Sequence, residues 1–382
     1  MIYVNDSSRV WHVAKTGNNS NSGHAGQYPV NLANDAKLTI GAAVSAAADG
    51  DTIIIWPGTY DEVVDIDAAN KALTIMGTNR EKCIIYNQTN GGNGIKLEDG
   101  CELRNISVLS GTGDSVGGIS ATYKNRIIID NVYAKCNSIA GSTDGAKFNG
   151  SKDLRVSNSI FTCGYDGCVI SSLERATFDN CVFITTGEYA SGQVKGLLAG
   201  VTIYDVMFRS CAFHAIRSAD IDYAVFGAAI QGPATFIGCT FYAKTSGNCN
   251  ANATALSANN GSFIGCGFYA SATAGSTAYD IEGTNNYPVL AGCSFTSSMP
   301  VINGSCKIID RRFLLDSSGR VDVGAIKSVD ADVLLKAVKL LKNKAVQDKL
   351  TGAIRYYDDN GQTVILTHTP NEDESSMTRT VS

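Results

Sequence analysis

The stretch Gly238-Cys239-Thr240-Phe241 decides the fold of this chain, because its cysteine and phenylalanine, two residues apart, return at a regular interval. The cysteines of five successive copies are separated by 30, 28, 27 and 27 residues. Weaker copies begin earlier, at Asn105, Asn131 and Asn158. An internal repeat of this length, with Gly, Asn and Ser at its turns, indicates a solenoid. The five strong copies are Asn180-Cys181-Val182-Phe183, Ser210-Cys211-Ala212-Phe213, Gly238-Cys239-Thr240-Phe241, Gly265-Cys266-Gly267-Phe268 and Gly292-Cys293-Ser294-Phe295.

Apolar and polar residues alternate within each copy, as residues 234–242 show. Such alternation is typical of a strand, whereas a helical repeat would need a period of 3.6 residues. The Leu/Asn consensus of leucine-rich repeats is also missing. The sequence therefore predicts parallel strands stacked in coils, with Cys and Phe inside and about 4.8 Å from their equivalents in the next coil. The Asn residues are expected at tight inward corners, hydrogen-bonded along the stack.

The chain contains 12 cysteines, but it is neither short nor dense in cysteine, as disulfide scaffolds are. Stacked cysteines would have Cβ atoms separated by the strand spacing, which exceeds the roughly 3.8 Å of a disulfide. No Cys-x-x-Cys spacing typical of a metal site occurs. We predict reduced thiols packed in the core.

Composition excludes several classes of protein. The 382 residues are 44% hydrophobic and 18% charged, and the net charge is −5, so there is no basic excess for binding nucleic acid. The chain contains no run of 18 apolar residues, so no transmembrane span is predicted. The first residues lack the basic and apolar regions of a signal peptide, so no secretion is expected.

The region 13–77 resembles the N-terminal part of right-handed parallel β-helix proteins of the pectate-lyase-like superfamily. Together with the repeats, the resemblance covers about residues 10–312. The resemblance implies the fold but no particular activity, because the superfamily includes lyases, hydrolases, esterases, phage tailspikes and inert structural proteins. The residues that carry it are Val13-Ala14-Lys15-Thr16-Gly17-Asn18, Leu38-Thr39-Ile40-Gly41-Ala42-Ala43-Val44, Asp49-Gly50-Asp51-Thr52-Ile53-Ile54-Ile55-Trp56-Pro57-Gly58-Thr59-Tyr60 and Leu73-Thr74-Ile75-Met76-Gly77.

We predict an all-β chain, a single-stranded right-handed parallel β-helix with an N-terminal capping helix and a small C-terminal module of a helix and a β-hairpin. The expected divisions are an N-terminal arm and entry strand (1–37), the β-helix with a capping helix at 38–48 (38–312), and the C-terminal module (313–382). Composition supports the last boundary, since residues 1–312 contain 48 charged residues and the 70 residues 313–382 contain 19.

The C-terminal module has its own pattern. Residues 329–348 predict a helix with Val333, Leu334 and Leu341 on its apolar stripe. Residues 352–357 and 363–368 flank an Asn-Gly turn and predict a hairpin. The module resembles terminal segments of phage virion proteins, which implies attachment to another subunit. The alternative is that it only caps the solenoid.

Candidate catalytic groups are few. The four histidines, His12, His24, His214 and His368, lie far apart in the sequence, so no metal site is predicted, and His214 is expected to face outward after the core residue Phe213. Asp114, Asp144 and Asp166 are expected on successive coils, where they are either turn residues or a carboxylate site for polysaccharide cleavage. We favour turns.

The segment Ile221-Asp222-Tyr223-Ala224-Val225-Phe226-Gly227 resembles the pectin methylesterase signature, which implies Asp222 as a nucleophile. One residue is inserted before Phe226, however, and the family's Gln-Asp and Trp-Gly-Arg-Pro-Trp segments are missing, so chance likeness is the favoured interpretation. Six tyrosines could line a sugar-binding groove, although Tyr is also common in strands. These are Tyr123, Tyr133, Tyr165, Tyr189, Tyr204 and Tyr223.

The leading hypothesis is a non-enzymatic phage virion component, a fibre, spike or decoration protein located in the virion and assembled as a homotrimer. Other virion proteins are expected to bind through residues 313–382, and host surface polysaccharide is a candidate ligand. Nucleic acid, membrane, cofactors and metals are not expected, and no catalytic residue is assigned. The alternative is a polysaccharide-degrading enzyme of the tailspike or pectin-active type, a lyase, hydrolase or esterase, with Asp166 and Asp222 as its candidate carboxylates.

Overall fold

The structure is a computed structural model. It describes residues 9–25, 30–88, 92–111, 117–137, 143–186, 193–200, 202–217, 225–246, 250–257, 261–272, 277–284 and 289–295, and a set of short strands beyond them. The chain divides into two compact units, Met1–Ile309 and Asp310–Ser382. The first is the predicted single-stranded right-handed parallel β-helix, built from three sheets in which each strand pairs with its equivalents in the neighbouring coils.

Each of the three sheets stacks parallel strands along the solenoid. Sheet A contains Val10–Val13, Thr52–Ile55, Thr74–Gly77, Glu102–Arg104, Ile128–Asp130, Arg155–Ser157, Glu174–Asp179, Tyr204–Arg209, Ala234–Ile237, Ser262–Ile264, Val289–Ala291 and Ile309–Asp310. Sheet B contains Gly58–Tyr60, Cys83–Tyr86, Ser107–Leu109, Tyr133–Lys135, Ile160–Cys163, Val182–Thr185, Ala212–Arg217, Thr240–Thr245, Gly267–Ser271 and Ser294–Phe295. Sheet C contains Val64–Asp65, Ile95–Lys96, Gly117–Thr122, Asp144–Asn149, Asp166–Ser171, Val194–Ala199, Val225–Ile230, Ala251–Ser257, Ala278–Thr284 and Ile302–Asn303.

Three short helices accompany the first coils, at Leu32–Asp35, Ile40–Ala46 and Ile66–Ala69. The second of these is the helix predicted at 38–48. The Thr39 side chain accepts a hydrogen bond from the Ala42 backbone N–H, which satisfies one of the unpaired donors of the first turn. Ile40, Ala43 and Val44 are buried in the core. None of the helices in the described part of the chain has the length and hydrophobicity that crossing a bilayer requires.

The core consists of columns of equivalent side chains. Phe178, Phe208, Phe236 and Phe263 stack along sheet A, and a second column stacks along sheet B, with ring centroids 4.7–5.4 Å apart. The two columns meet edge to face, as Phe208 and Phe213 do at 5.4 Å. Both geometries are favourable for aromatic rings. The sheet B column is Phe161, Phe183, Phe213, Phe241, Phe268 and Phe295.

The predicted state of the cysteines is confirmed for the described part of the chain, where ten cysteines are free and buried. Cys181, Cys211, Cys239, Cys266 and Cys293 form a ladder, and each Sγ lies 3.3–3.7 Å from two carbonyl oxygens, one in its own coil and one in the preceding coil. Hydrogen bonding from the preceding thiol and burial together raise the pKa of Cys239 and of Cys266 to about 12. Cys239 and Cys266 therefore stay protonated at neutral pH.

The residue before each of these cysteines, and the equivalent residue in the earlier coils, makes the turn from sheet A to sheet B. Asn105, Asn131, Asn158 and Asn180 adopt left-handed backbone conformations with φ of 51–52°, and glycine takes over this position in the later coils. The Asn131 side chain donates to Asn105 Oδ1 at 2.8 Å, and Asn180 donates to Asn158 Oδ1 at 2.9 Å. The predicted hydrogen bonding along the stack is thus found, but the expected inward position is wrong. These side chains are half-buried or exposed, because the left-handed turn directs them outward.

The second unit contains an antiparallel sheet of four strands, Ala345–Gln347, Ile354–Tyr357, Val364–Glu372 and Met377–Val381. Pairing of Ile354–Tyr357 with Val364–Glu372 matches the predicted hairpin. Ala345–Gln347 also pairs with Ile354–Tyr357, so the predicted helix 329–348 is wrong in its last turn. The earlier residues of that helix lie outside the described residues. The β-branched Val346 and the pairing partner that the hairpin strand offers favour a strand at this point.

We expect Phe236→Ala to lower the free energy of unfolding by about 3–5 kcal/mol, because it removes a buried ring from the stacked column. Urea unfolding followed by circular dichroism measures the change. Thr235→Ala is the matched control, because Thr235 precedes Phe236 in the same strand and faces outward. Equal losses in the two variants would contradict the inward column.

A second prediction concerns the left-handed turn at Asn158. Asn158→Val should destabilise the protein by about 1–2 kcal/mol through backbone strain alone, because a β-branched residue does not adopt this conformation readily. Asn158→Gly should cost less, since glycine accepts the backbone and only the side-chain hydrogen bonds to Asp130 and Asn180 are lost. Thermal unfolding of the two variants gives the comparison, and a larger loss for glycine than for valine would contradict it.

Candidate functional site

A column of glycines lies where sheet B passes into sheet C. At Gly167 a Cβ atom would lie 2.5 Å from the carbonyl oxygen of Gly196 and 2.8 Å from the backbone nitrogen of Ile184, and similar clashes occur at Gly118, Gly145 and Gly196. Only glycine permits the backbones of the two sheets to approach so closely. The residue before each glycine is therefore held at a fixed position in this corner.

The residues held in this way include two buried carboxylates and a lysine. Asp144 pairs in register with Asp166, and Asp166 pairs with Lys195 in the next coil. The exposed fractions of the two aspartates are 5% and 1%. Lys195 Nζ lies 4.0 Å from Asp166 Oδ1 and 5.6 Å from the centroid of the Tyr165 ring, and the Lys195 backbone N–H donates to Asp166 Oδ1 at 3.1 Å.

Burial raises the pKa of both Asp144 and Asp166 to about 7. The charge of Asp166 raises the pKa of Asp144 further, whereas Lys147 and then Lys195 lower it. Lys195 also lowers the pKa of Asp166. The half-buried Lys195 lies beside two buried carboxylates that pair in register, so a second negative charge in this corner is unfavourable. The pair therefore favours a state that carries one proton near neutral pH.

The structure brings together two of the three aspartates expected on successive coils. Asp144 and Asp166 lie at the first position of their sheet C strands, so they are strand residues rather than the turn residues that we favoured. Asp114 and Asp222 lie outside the described residues. In the sequence, each of these two aspartates comes directly before a glycine of the column. The same pattern continues in the next two coils, at Lys195-Gly196 and Phe226-Gly227. Lys195 and Phe226 were not predicted from the sequence to belong to this corner.

The described members of the six tyrosines that could line a groove do not form one surface. Tyr133 lies on sheet B, Tyr204 starts a strand of sheet A, and Tyr123 lies in a turn after sheet C with an exposed fraction of 72%. Tyr165 packs beside Cys136 and Cys163 at the carboxylate corner. Tyr189 and Tyr223 lie outside the described residues.

Sheet B nevertheless carries a groove on its outer face. The groove has a volume of about 380 Å³ and is lined by Tyr133, Lys135, Ile160, Thr162 and Ile184, with neighbouring residues of the same coils. Further along the same face, His214, Tyr242 and Tyr269 occupy equivalent positions on three successive coils. His214 faces outward as predicted, next to the buried Phe213, and burial lowers its pKa. None of the ten strands of sheet B contains an Asp or a Glu.

A smaller groove of about 280 Å³ on sheet A is charged. Asp153, Arg155, Arg175 and Asp205 line it, and Arg175 Nε lies 2.7 Å from Asp153 Oδ1. Both side chains of this ion pair are exposed, so it contributes little to stability. No cluster of three or more metal-ligating side chains occurs among the residues that the structure describes.

No protein-family model and no curated protein matches the chain. Among solved structures, the ORF18 protein of Geobacillus virus E2 is 14% identical with a TM-score of 0.37, and the match covers 89% of this chain and 72% of that one. A pectin methylesterase from carrot is 14% identical with a TM-score of 0.33, covering 86% and 95%. The pectate lyase Pel9A is 13% identical with a TM-score of 0.34, covering 85% and 84%. Similarity at this level transfers no activity to the chain.

The carboxylate corner predicts a pH dependence of stability. Unfolded aspartates titrate near pH ~3.9, so between about pH 4 and pH 7 the folded protein binds more protons than the unfolded chain, because the folded pKa values are about 7. The contribution of the pair to the free energy of unfolding should therefore fall as the pH rises through this window and level off above it. Urea unfolding at pH 5 and pH 8 measures the difference.

Asp166→Asn should reduce the difference between the two pH values, because one of the raised groups is removed. Asp205→Asn controls for the loss of a carboxylate, since Asp205 is exposed on sheet A. The interpretation of the corner would be contradicted if both variants showed the same pH dependence as the unaltered protein.

Proposed function

We propose that the chain is a non-enzymatic structural component of a phage particle, a fibre, spike or decoration protein that assembles as a homotrimer. The observation that carries the proposal is the burial of the carboxylate pair. With exposed fractions of 5% and 1%, Asp144 and Asp166 lie out of reach of a polymeric substrate. A general acid must come within hydrogen-bond distance of the glycosidic oxygen that it protonates. The pair therefore lacks the access to substrate that catalysis requires.

Rigidity supports a structural role. From Thr52 to Asn303, each coil is hydrogen-bonded to the next through three parallel sheets, and the Phe and Cys columns fill the interior without interruption from Phe178 to Cys293. Stacked repeats of this kind make a stiff rod whose length is proportional to the number of coils. A rod that holds its shape is what a fibre or spike requires.

The placement in a virion rests on the resemblance of residues 313–382 to terminal segments of phage virion proteins. The antiparallel pairing of Ile354–Tyr357, Val364–Glu372 and Met377–Val381 is the part of that module that supports it. A small antiparallel sheet gains stability when another surface covers it. We propose that this module joins the subunits to one another and to other virion proteins, and that host surface polysaccharide binds to the outer face of sheet B.

A second candidate function is cleavage of a polysaccharide. The close pairing of Asp144 with Asp166 favours it, because two carboxyl groups with raised pKa values can share the roles of acid and base. Shortening of a capsular or pectic polymer by the purified protein, lost in Asp166→Asn, would replace the structural proposal by this one.

Sedimentation equilibrium tests the structural proposal. The full chain should sediment with three times the 40.2 kDa of one chain, and a chain ending at residue 312 should associate much more weakly at the same concentration. A monomeric full chain at all concentrations would contradict assembly into a fibre or spike.

A further inference from the structure

The outer face of sheet A changes its chemistry at one level of the solenoid. From Arg104 to Arg209, the last outward position of each strand is polar, whereas two earlier coils have Ile54 and Met76 there. Arg209 Nε lies 2.5 Å from Asp179 Oδ1. In the next three coils the equivalent residues are Ile237, Ile264 and Ala291. The polar residues that precede them in the column are Arg104, Asp130, Ser157, Asp179 and Arg209.

The turn beside this column changes at the same level. Asn105, Asn131, Asn158, Asn180 and Ser210 give way to Gly238, Gly265 and Gly292, all with the same left-handed backbone. A Cβ atom at any of these three glycines would have no neighbour within 4 Å, so the backbone there is bare on its outer side. The earlier coils show that Asn fits this backbone. The later coils therefore do not need glycine for the turn itself.

The two changes together make a smooth apolar strip, which we define as Ile237-Gly238, Ile264-Gly265 and Ala291-Gly292. The exposed fractions of Ile264 and of nearby Val289 are 46% and 42%. All coils of a solenoid present their columns to the same kind of environment unless something covers some of them. Exposed aliphatic residues and bare glycines that follow five polar residues in the same column indicate a covered surface that a partner approaches closely.

Charge is depleted around the whole solenoid at this level. The 97 residues 210–306 contain six charged residues, whereas the 209 residues 1–209 contain 38. Burying an unpaired charge in an interface is costly, so a section without charges can be covered on several faces at little cost. Within this section, the outward side chains of the strip offer no hydrogen-bond donor or acceptor. A glycan, which needs such groups, fits it poorly.

We propose that the strip is the contact between copies of this chain in the trimer, an inference that rests on the proposed function and assigns its interface. In a closed ring of parallel copies, the same coil of every copy lies at the same level. The strip of one copy then meets a coil of its neighbour that is also within the charge-depleted section. The charged coils before Arg209 lie at their own level, where their ion pairs stay in water.

This contact works together with residues 313–382. If the C-terminal module holds the copies together, the strip contacts form at a high effective concentration and add to the stability of the trimer without having to be strong alone. Loss of the strip should therefore weaken the trimer, while loss of the module should weaken it more.

The test uses the full-length chain. Sedimentation over a dilution series gives the dissociation of the trimer for Ile264→Glu and Gly265→Asn. Each variant should raise the dissociation constant at least about tenfold, because one places a charge in the contact and the other places a side chain where the backbones meet. Gly265→Asn keeps the turn that Asn makes in the earlier coils, so it tests the contact without straining the fold.

Thr177→Glu is the matched control, since it introduces the same carboxylate on the outer face of sheet A in the charged section, and it should leave the dissociation unchanged. Circular dichroism of each variant establishes that the coils are intact. A trimer that persists unchanged in both Ile264→Glu and Gly265→Asn would overturn the interface and leave the proposed function standing. A full chain that is monomeric before any substitution would overturn both. An equal weakening by Thr177→Glu would also overturn the assignment to the strip.

Discussion

The structure depends on one constraint, the stacking of each strand in register on its equivalent in the neighbouring coil. Parallel pairing fixes the spacing between coils at about 4.8 Å, so any residue that recurs in the repeat must tolerate its own copy directly above and below. Phenylalanine does so by ring stacking, cysteine by hydrogen bonds to carbonyl oxygens and to neighbouring thiols, and asparagine by side-chain hydrogen bonds along the turn. The columns are thus the consequence of the repeat and also the source of its stability. Charged residues, which do not stack on copies of themselves in this way, lie mostly on the outer face, and a few, such as Asp51, Asp166 and Arg217, are buried.

The inward columns could be predicted from the sequence because they obey a local rule. Each Cys and each Phe of the repeat is followed by outward residues in simple alternation, and no distant contact decides which way they face. The position of the asparagines could not be predicted so well, because a left-handed turn breaks the alternation, and its φ angle is not visible in residues such as Asn158. The strand at Ala345–Gln347 was also missed, since its apolar spacing fits a helix until the pairing partner Ile354–Tyr357 is known.

The candidate site, too, could be predicted only in part from the sequence. The spacing of Asp144 and Asp166 indicated that they would be neighbours, because residues at equivalent positions of successive coils must be adjacent. Their burial could not be read from the sequence, because it depends on the close approach of sheets B and C at the glycines beside them. That approach turns a pair with the composition of a catalytic dyad into an enclosed corner. A catalytic role on this fold therefore requires access as well as carboxylates, and composition alone does not express access.

Accessibility of the cysteine ladder is the most direct test of the stacked core. The protein would be treated with an alkylating reagent without a reductant, once native and once in denaturant, and the labelled peptides identified by mass spectrometry. The account predicts that Cys181, Cys211, Cys239, Cys266 and Cys293 stay unlabelled in the native protein and are all labelled after denaturation, since they are buried free thiols. Rapid labelling of the native ladder would contradict the inward register, and failure to label it after denaturation would show disulfides in place of stacked thiols.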